Sequence, residues 1–124
     1  MLSNSNVMAF VATTDAAKAR EFYEGTLELH LVEDDMFAVV FDLNGIMLRI
    51  QKVGEVTAPQ YTSLGWQVDD IASEVRRLTE RGVSFIRFDG MGGQDELGIW
   101  SSPSGAKVAW FKDPDGHTLS LTQF

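Results

Sequence analysis

The sequence predicts an α+β fold made of two βαβββ modules, whose strands would form a curved mixed sheet around a shared cup. Segments of strand and helix length occur in the order strand, helix, strand, strand, strand, and the same order then starts again. The helix-capping residues Asp15 and Asp70 lie 55 residues apart, and the hairpin glycines Gly45 and Gly116 lie 71 apart. Such a repeat indicates that each module covers the apolar face of the other.

The first module is predicted to span about residues 6–53. Its apolar segment at 7–12 predicts a strand, and Asp15 follows as the N-cap of a helix that has Ala19 and Tyr23 on one face. Gly25 is the predicted end of this helix. Strands are then expected at 29–32, 36–41 and 46–51, and Asn44-Gly45 between the last two is a hairpin signal.

Residues 54–60 contain turn-forming and helix-breaking residues and are predicted to be the linker. The second module, residues 61–124, repeats the order of the first. Its predicted elements are a strand at 63–68, a helix capped by Asp70 and ended by Gly82, and strands at 83–88, 107–112 and 118–122. The turn Asp113-Pro114-Asp115-Gly116 joins the last two strands. Because the two modules together account for the whole chain, we expect one domain over residues 1–124.

The composition excludes several classes of protein. With 18 acidic and 10 basic residues and a net charge of −8, the chain lacks the basic surface that nucleic-acid binding needs. It has no cysteine, which removes disulfides, thiolate nucleophiles and cysteine metal sites. No apolar run approaches the ~18 residues of a membrane span, and no signal-peptide pattern is seen. We therefore expect a cytoplasmic protein with neither nucleic acid nor a membrane as a partner.

Three motifs stand out: Val11-Ala12-Thr13-Thr14-Asp15 followed by Phe22-Tyr23, Val68-Asp69-Asp70-Ile71, and the terminal Phe111-Lys112-Asp113-Pro114-Asp115-Gly116-His117. Together they resemble the vicinal-oxygen-chelate superfamily of glyoxalases, bleomycin resistance proteins and dioxygenases. The resemblance covers nearly the whole chain and implies the glyoxalase fold. Glu28 departs from it, because many relatives have Gly after the leucine that is Leu27 here. Because members of this family often pair sheets between chains, the resemblance also leads us to expect a possible homodimer.

In enzymes of this family, four strands each direct a His, Gln or Glu side chain to a divalent metal. The resemblance and the repeat together place these four positions at Met8, Arg49, Ser63 and Ser120. A thioether, a permanent cation and two neutral hydroxyls are poor ligands for Zn, Mn or Fe, so we expect no metal cofactor. A shifted alignment would bring Gln51 or Glu55 near the third position, but the two serines would remain.

The alternation of side chains along the strands predicts which residues face the cup. Eight candidate ligand-binding residues follow from this alternation: Met8, Phe10, Met47, Arg49, Gln51, Ser63, Gln67 and Ser120. Trp100 and Trp110 are added because their rings offer flat surfaces for a planar ligand. The residues on the opposite faces are apolar and suit packing against the helices: Ile46, Leu48, Ile50, Leu64, Trp66, Val68, Leu119 and Leu121. Arg49 would need an anionic partner in a partly dry cup.

These features predict a metal-free protein that binds a small molecule and sequesters an antibiotic-like or aromatic ligand. The alternative is a glyoxalase-like lyase or isomerase, or a ring-cleaving dioxygenase relative, with a rearranged divalent-metal site. A third interpretation is a regulatory or assembly module with a vestigial cup. No catalytic residue is assigned, and His30 and His117 are both expected at the surface. The glycine-rich stretch 90–93 fits either a lid or a plain connector.

Overall fold

Each half of the chain builds a four-stranded mixed sheet with a helix between its first two strands, which confirms the predicted α+β class, and a short 3-10 helix, Leu2–Asn4, precedes the first sheet. The computed structural model describes all 124 residues, and the chain forms two compact units, Met1–Ala58 and Pro59–Phe124. The elements of the first unit are β1 (Met8–Thr13), α1 (Ala16–Arg20), β2 (His30–Asp34), β3 (Ala38–Leu43) and β4 (Ile46–Lys52). Those of the second are β5 (Thr62–Gln67), α2 (Ile71–Glu80), β6 (Trp100–Ser101), β7 (Lys107–Lys112) and β8 (Thr118–Gln123).

The two sheets share one topology. The strand order is β1-β4-β3-β2 in the first unit and β5-β8-β7-β6 in the second. In each unit the first and last strands are parallel neighbours, and the remaining pairs are antiparallel. The hairpin between β3 and β4 turns at Asn44 and Gly45, whose φ values of 51° and 95° suit a type I′ turn. The predicted Asn-Gly turn is therefore confirmed.

The first helix begins where the sequence predicts but ends later. The Asp15 carboxylate accepts a 3.1 Å hydrogen bond from the backbone N–H of Lys18, which is the N-cap interaction. The α-helix then widens into a π-helix, Glu21–Thr26, that contains Gly25. The prediction that Gly25 ends the helix is wrong, because the chain changes direction at Glu28, which has a left-handed φ of 58°.

The second helix has both of its predicted ends. Asp70 accepts a 3.1 Å hydrogen bond from the backbone N–H of Ser73. At the other end Gly82 has a φ of 96°, and the N–H of Val83 donates to the carbonyl of Leu78 at 3.0 Å. This arrangement is a Schellman motif, which satisfies helix carbonyls that would otherwise lack partners. Neither α1 nor α2 is long and apolar enough to cross a membrane.

Each helix covers one face of the sheet of its own unit. The buried core of the first unit is Val11, Ala19, Tyr23, Val39, Phe41, Leu48 and Ile50. The buried core of the second unit is Ile71, Val75, Leu78, Ala109, Phe111, Leu119 and Leu121. Most of the strand residues predicted to pack against the helices are thus buried or half-buried, whereas Ile46 is 45% exposed beside the hairpin turn.

The strand predicted at residues 83–88 does not form. The segment makes a single backbone hydrogen bond to β7, from the N–H of Ile86 to the carbonyl of Trp110 at 2.8 Å. The N–H of Phe88 instead donates to the side chain of Gln94 at 2.9 Å. Because this N–H bonds to a side chain and not to a strand, the 83–88 segment does not join the second sheet. The short strand β6 forms the edge of that sheet next to β7.

Candidate functional site

Each sheet has a second face, opposite its helix, on which the predicted site residues lie. On the first open face, formed by β1 and β4, Met8 is paired in register with Met47, and Phe10 with Arg49. Gln51 follows on the same face. Met8, Phe10 and Met47 are 46%, 51% and 40% exposed, so large apolar side chains are held at the surface of this unit. The structure thus brings together all five residues predicted for the first module.

A groove of about 340 Å³ lies at one end of the first open face. Its lining combines apolar side chains with a few polar groups: Asn6, Val7, Met8, Val32, Phe41, Asp42, Gly45 and Met47. Apolar walls with few polar groups are typical of small-molecule sites. Two of the predicted residues, Met8 and Met47, therefore line a concave surface.

The cations near the first open face differ in their partners. Lys52 Nζ lies 2.7 Å from one oxygen of Asp34, and the Arg20 guanidinium lies 3.2 Å from the other. The hydrogen bond from Lys52, and after it the one from Arg20, lowers the pKa of Asp34 below its ordinary value. Arg49 is half-buried and belongs to neither of these ion pairs.

The carboxylate of Asp35 is influenced electrostatically by Arg49, but its hydrogen bonds are made to the backbone of the following turn. It accepts hydrogen bonds from the backbone N–H groups of Phe37 and Ala38 at 2.8 and 2.9 Å. These two bonds lower the pKa of Asp35, and the charges of Arg49 and Lys52 lower it further. Asp35 thus organises the turn before β3.

On the second open face, three aromatic residues form a cluster. Trp100 and Trp110 have ring centroids 6.2 Å apart, and Phe88 packs edge-on against Trp110 at 5.2 Å with an interplanar angle of 88°. We call Phe88, Trp100 and Trp110 the aromatic cluster. Both tryptophans were predicted, but Phe88 was missed. Its only signal was an apolar side chain in a segment wrongly predicted as a regular strand.

The polar part of the second open face is centred on β8. Ser120 is paired in register with Trp110 on one side and with Gly65 on the other, and its side chain is only 7% exposed. A Cβ atom at Gly65 would lie 2.6 Å from the Ser120 Oγ, so only glycine leaves room for this hydroxyl. Gln67 is exposed on the same strand as Gly65, and Ser63 is exposed at a β-bulge.

The duplicated order of elements and the two open faces define a protein of paired βαβββ modules. The model of the Glyoxalase/Bleomycin resistance protein/Dioxygenase superfamily matches residues 6–121, and the chain belongs to this family. No curated protein matches the sequence.

Solved structures of the family share the fold. The lactoylglutathione lyase from Agrobacterium tumefaciens is 14% identical, with a TM-score of 0.76 over 97% of this chain and 93% of that one. A superfamily member from Sphaerobacter thermophilus is 23% identical, with a TM-score of 0.75 over 100% of both chains. One from Alicyclobacillus acidocaldarius is 18% identical, with a TM-score of 0.70 over 98% of this chain and 92% of that one. At these identities the likeness establishes the fold alone.

The residues at the expected metal positions do not fit a divalent metal. Met8 and Arg49 stand on the first open face, Ser120 stands on the second, and Ser63 lies at the β-bulge of β5. Thioether, guanidinium and neutral hydroxyl groups are not a ligand set for Zn, Mn or Fe. No group of three or more His, Cys, Asp or Glu side chains in the chain could hold a metal ion.

The two histidines differ in exposure. His30 is exposed, as predicted. His117 is only 7% exposed, so its predicted surface position is wrong. The cause lies in the terminal turn, where Asp113 Oδ1 accepts a 2.9 Å hydrogen bond from the N–H of His117 and draws this residue inward.

Proposed function

We propose that the protein binds a small, partly aromatic molecule without the help of a metal, as in sequestration of an antibiotic-like compound. The observation that carries this proposal is the aromatic cluster, in which two half-buried tryptophans lie 6.2 Å apart beside the Ser120 hydroxyl. Half-buried rings offer flat apolar area at little entropic cost, and nearby hydroxyl and amide groups orient a ligand. A planar ligand would stack on Trp100 or Trp110.

The first open face, by itself, offers a binding group for anions. Arg49 is half-buried, is paired in register with Phe10 and Val40, and takes no part in the ion pairs of Asp34. A guanidinium binds a carboxylate or phosphate with two parallel hydrogen bonds. A ligand on the first open face would therefore be one that carries a carboxylate or a phosphate.

Calorimetry with naphthoate, a planar aromatic carboxylate, tests the aromatic cluster. Replacing Trp100 or Trp110 by Ala should weaken binding by about 0.5–1.5 kcal/mol beyond the lost apolar area. The matched control is Trp66→Phe, because Trp66 stacks on Phe111 at 6.4 Å on the helix side of the sheet. Equal affinities for the wild type and both Ala variants would contradict the proposed site.

Native mass spectrometry of the untreated protein tests the absence of a metal. We expect a chain without metal, and a retained organic ligand would be recovered unchanged. Stoichiometric Zn, Ni, Mn or Fe would favour the alternative, a glyoxalase-like lyase or isomerase or a dioxygenase relative. The same spectrum reports whether the chain is a homodimer, as we propose from the family resemblance.

A further inference from the structure

One side chain outside the aromatic cluster joins the segments that carry two of its rings. The Gln94 amide oxygen accepts a hydrogen bond from the N–H of Phe88 at 2.9 Å. Its amide nitrogen donates to the carbonyls of Ile86 at 2.9 Å and Gly98 at 3.0 Å. A carboxamide has two N–H donors and one carbonyl acceptor, so both donors and the acceptor are used.

The backbone of Gln94 adds a connection to the second ring, because it forms an isolated antiparallel bridge with Trp100. The turn that follows is held by Asp95, whose carboxylate accepts from the N–H groups of Leu97 and Ile99, both at 2.9 Å. Gln94 thus links an internally bonded turn, which leads into Trp100, to the segment that ends at Phe88.

Little else in the backbone fixes the position of Phe88. Its segment makes one backbone hydrogen bond to β7, from Ile86, and the Phe88 carbonyl accepts only a long 3.4 Å bond from the N–H of Met91. After Phe88 the chain passes through Gly90, Gly92 and Gly93, all with positive φ, and a Cβ atom on any of them would meet open space. Without the Gln94 side chain, two backbone groups of the 86–88 segment would lose their partners.

We propose that Gln94 is a positioning residue for the aromatic cluster, holding Phe88 and Trp100 against Trp110 so that a planar ligand meets preset rings. This inference rests on the proposed function. Preset rings bind more tightly because less side-chain freedom is lost when the ligand arrives. Gln94 would not itself need to touch the ligand.

The test substitutes Gln94→Met, which keeps the length of the side chain and removes its hydrogen bonds. Two tryptophans as close as Trp100 and Trp110 produce an exciton couplet in circular dichroism, and we expect the variant to lose most of it while the strand signal stays. Binding of naphthoate should weaken roughly three- to tenfold. The matched control is Gln60→Met in the exposed linker, which should change neither quantity.

An unchanged couplet and unchanged naphthoate affinity in Gln94→Met would overturn the proposal. If that variant does not fold, Gln94→Glu takes its place, because it keeps an acceptor for Phe88 but sets an oxygen against two carbonyl oxygens. A couplet lost in the variant, together with a wild type that binds no naphthoate, would support the role of Gln94 in placing the rings. The same result would count against the proposed function itself.

Discussion

Glu28 occupies a backbone conformation that L-residues other than Asn and Asp adopt reluctantly. Its φ of 58° lies in the left-handed region, where the Cβ atom crowds the neighbouring carbonyl. Only one other non-glycine residue, Asn44, has a positive φ, and asparagine suits its turn. Glu28 is also the position at which the resemblance described above leads us to expect glycine. The departure visible in the sequence is therefore a strained residue in the structure.

Replacing Glu28 by Gly should stabilise the protein. Relief of left-handed strain favours the variant by about 1–2 kcal/mol, and the extra freedom of glycine in the unfolded chain offsets about half of it, leaving roughly 0.5–1 kcal/mol. Urea denaturation followed by circular dichroism measures the change. Glu21→Gly is the matched control, since Glu21 has a φ of −58° and the same exchange should destabilise there. A loss of stability in Glu28→Gly would contradict this explanation.

Elements with strong local signals could be predicted from the sequence. Asp15 and Asp70 mark helix starts, and Asn44-Gly45 marks a hairpin, because the chemistry of these residues acts on their own backbone neighbours. The structure of the segment 83–88 could not be predicted in this way. Its apolar residues suit a strand, but the N–H of Phe88 donates its hydrogen bond to a side chain. That partner, Gln94, is reached only through tertiary structure.

The ion-pair network around Asp34 connects three elements, because Lys52 lies on β4, Arg20 on α1 and Asp34 at the end of β2. The pKa of Asp34 is lowered in the folded state. Its contribution to stability is therefore complete above the ordinary aspartate pKa of about 3.9 and is lost as the pH falls through the lower folded value.

The stability difference between the wild type and Asp34→Asn should follow this dependence. We expect the wild type to melt at a higher temperature near neutral pH, and the difference to shrink as the pH falls below about 4. Calorimetric melting curves over this range measure it. Glu33→Gln is the control, because this adjacent, exposed acid takes no part in the network. A difference that grows at low pH would show that the network destabilises the fold.

At the scale of the whole molecule, the two units repeat one topology and differ in the chemistry of their open faces. The first presents Met8, Phe10, Met47 and Arg49, and the second presents the aromatic cluster and Ser120. Strand alternation alone predicts the face of eight of the ten candidate residues, because a period of two is a local property of the chain. Trp100 and Trp110 were added for their aromatic character, and the two-residue strand that carries Trp100 has no readable period.

Both open faces lack a divalent-metal ligand set, and this predicts how the stability of the whole chain responds to additives. A ligand that binds only the folded protein stabilises it by about 2.7 kcal/mol at 100 times its Kd. We expect naphthoate to raise the melting temperature in a saturable way, and EDTA, Zn, Ni or Mn to leave it unchanged. Mg²⁺ is the control for unspecific cation binding to a chain of net charge −8. A rise that saturates at one equivalent of Ni or Mn, and that Mg²⁺ does not reproduce, would mean that these side chains do bind a metal and would favour the enzymatic alternative.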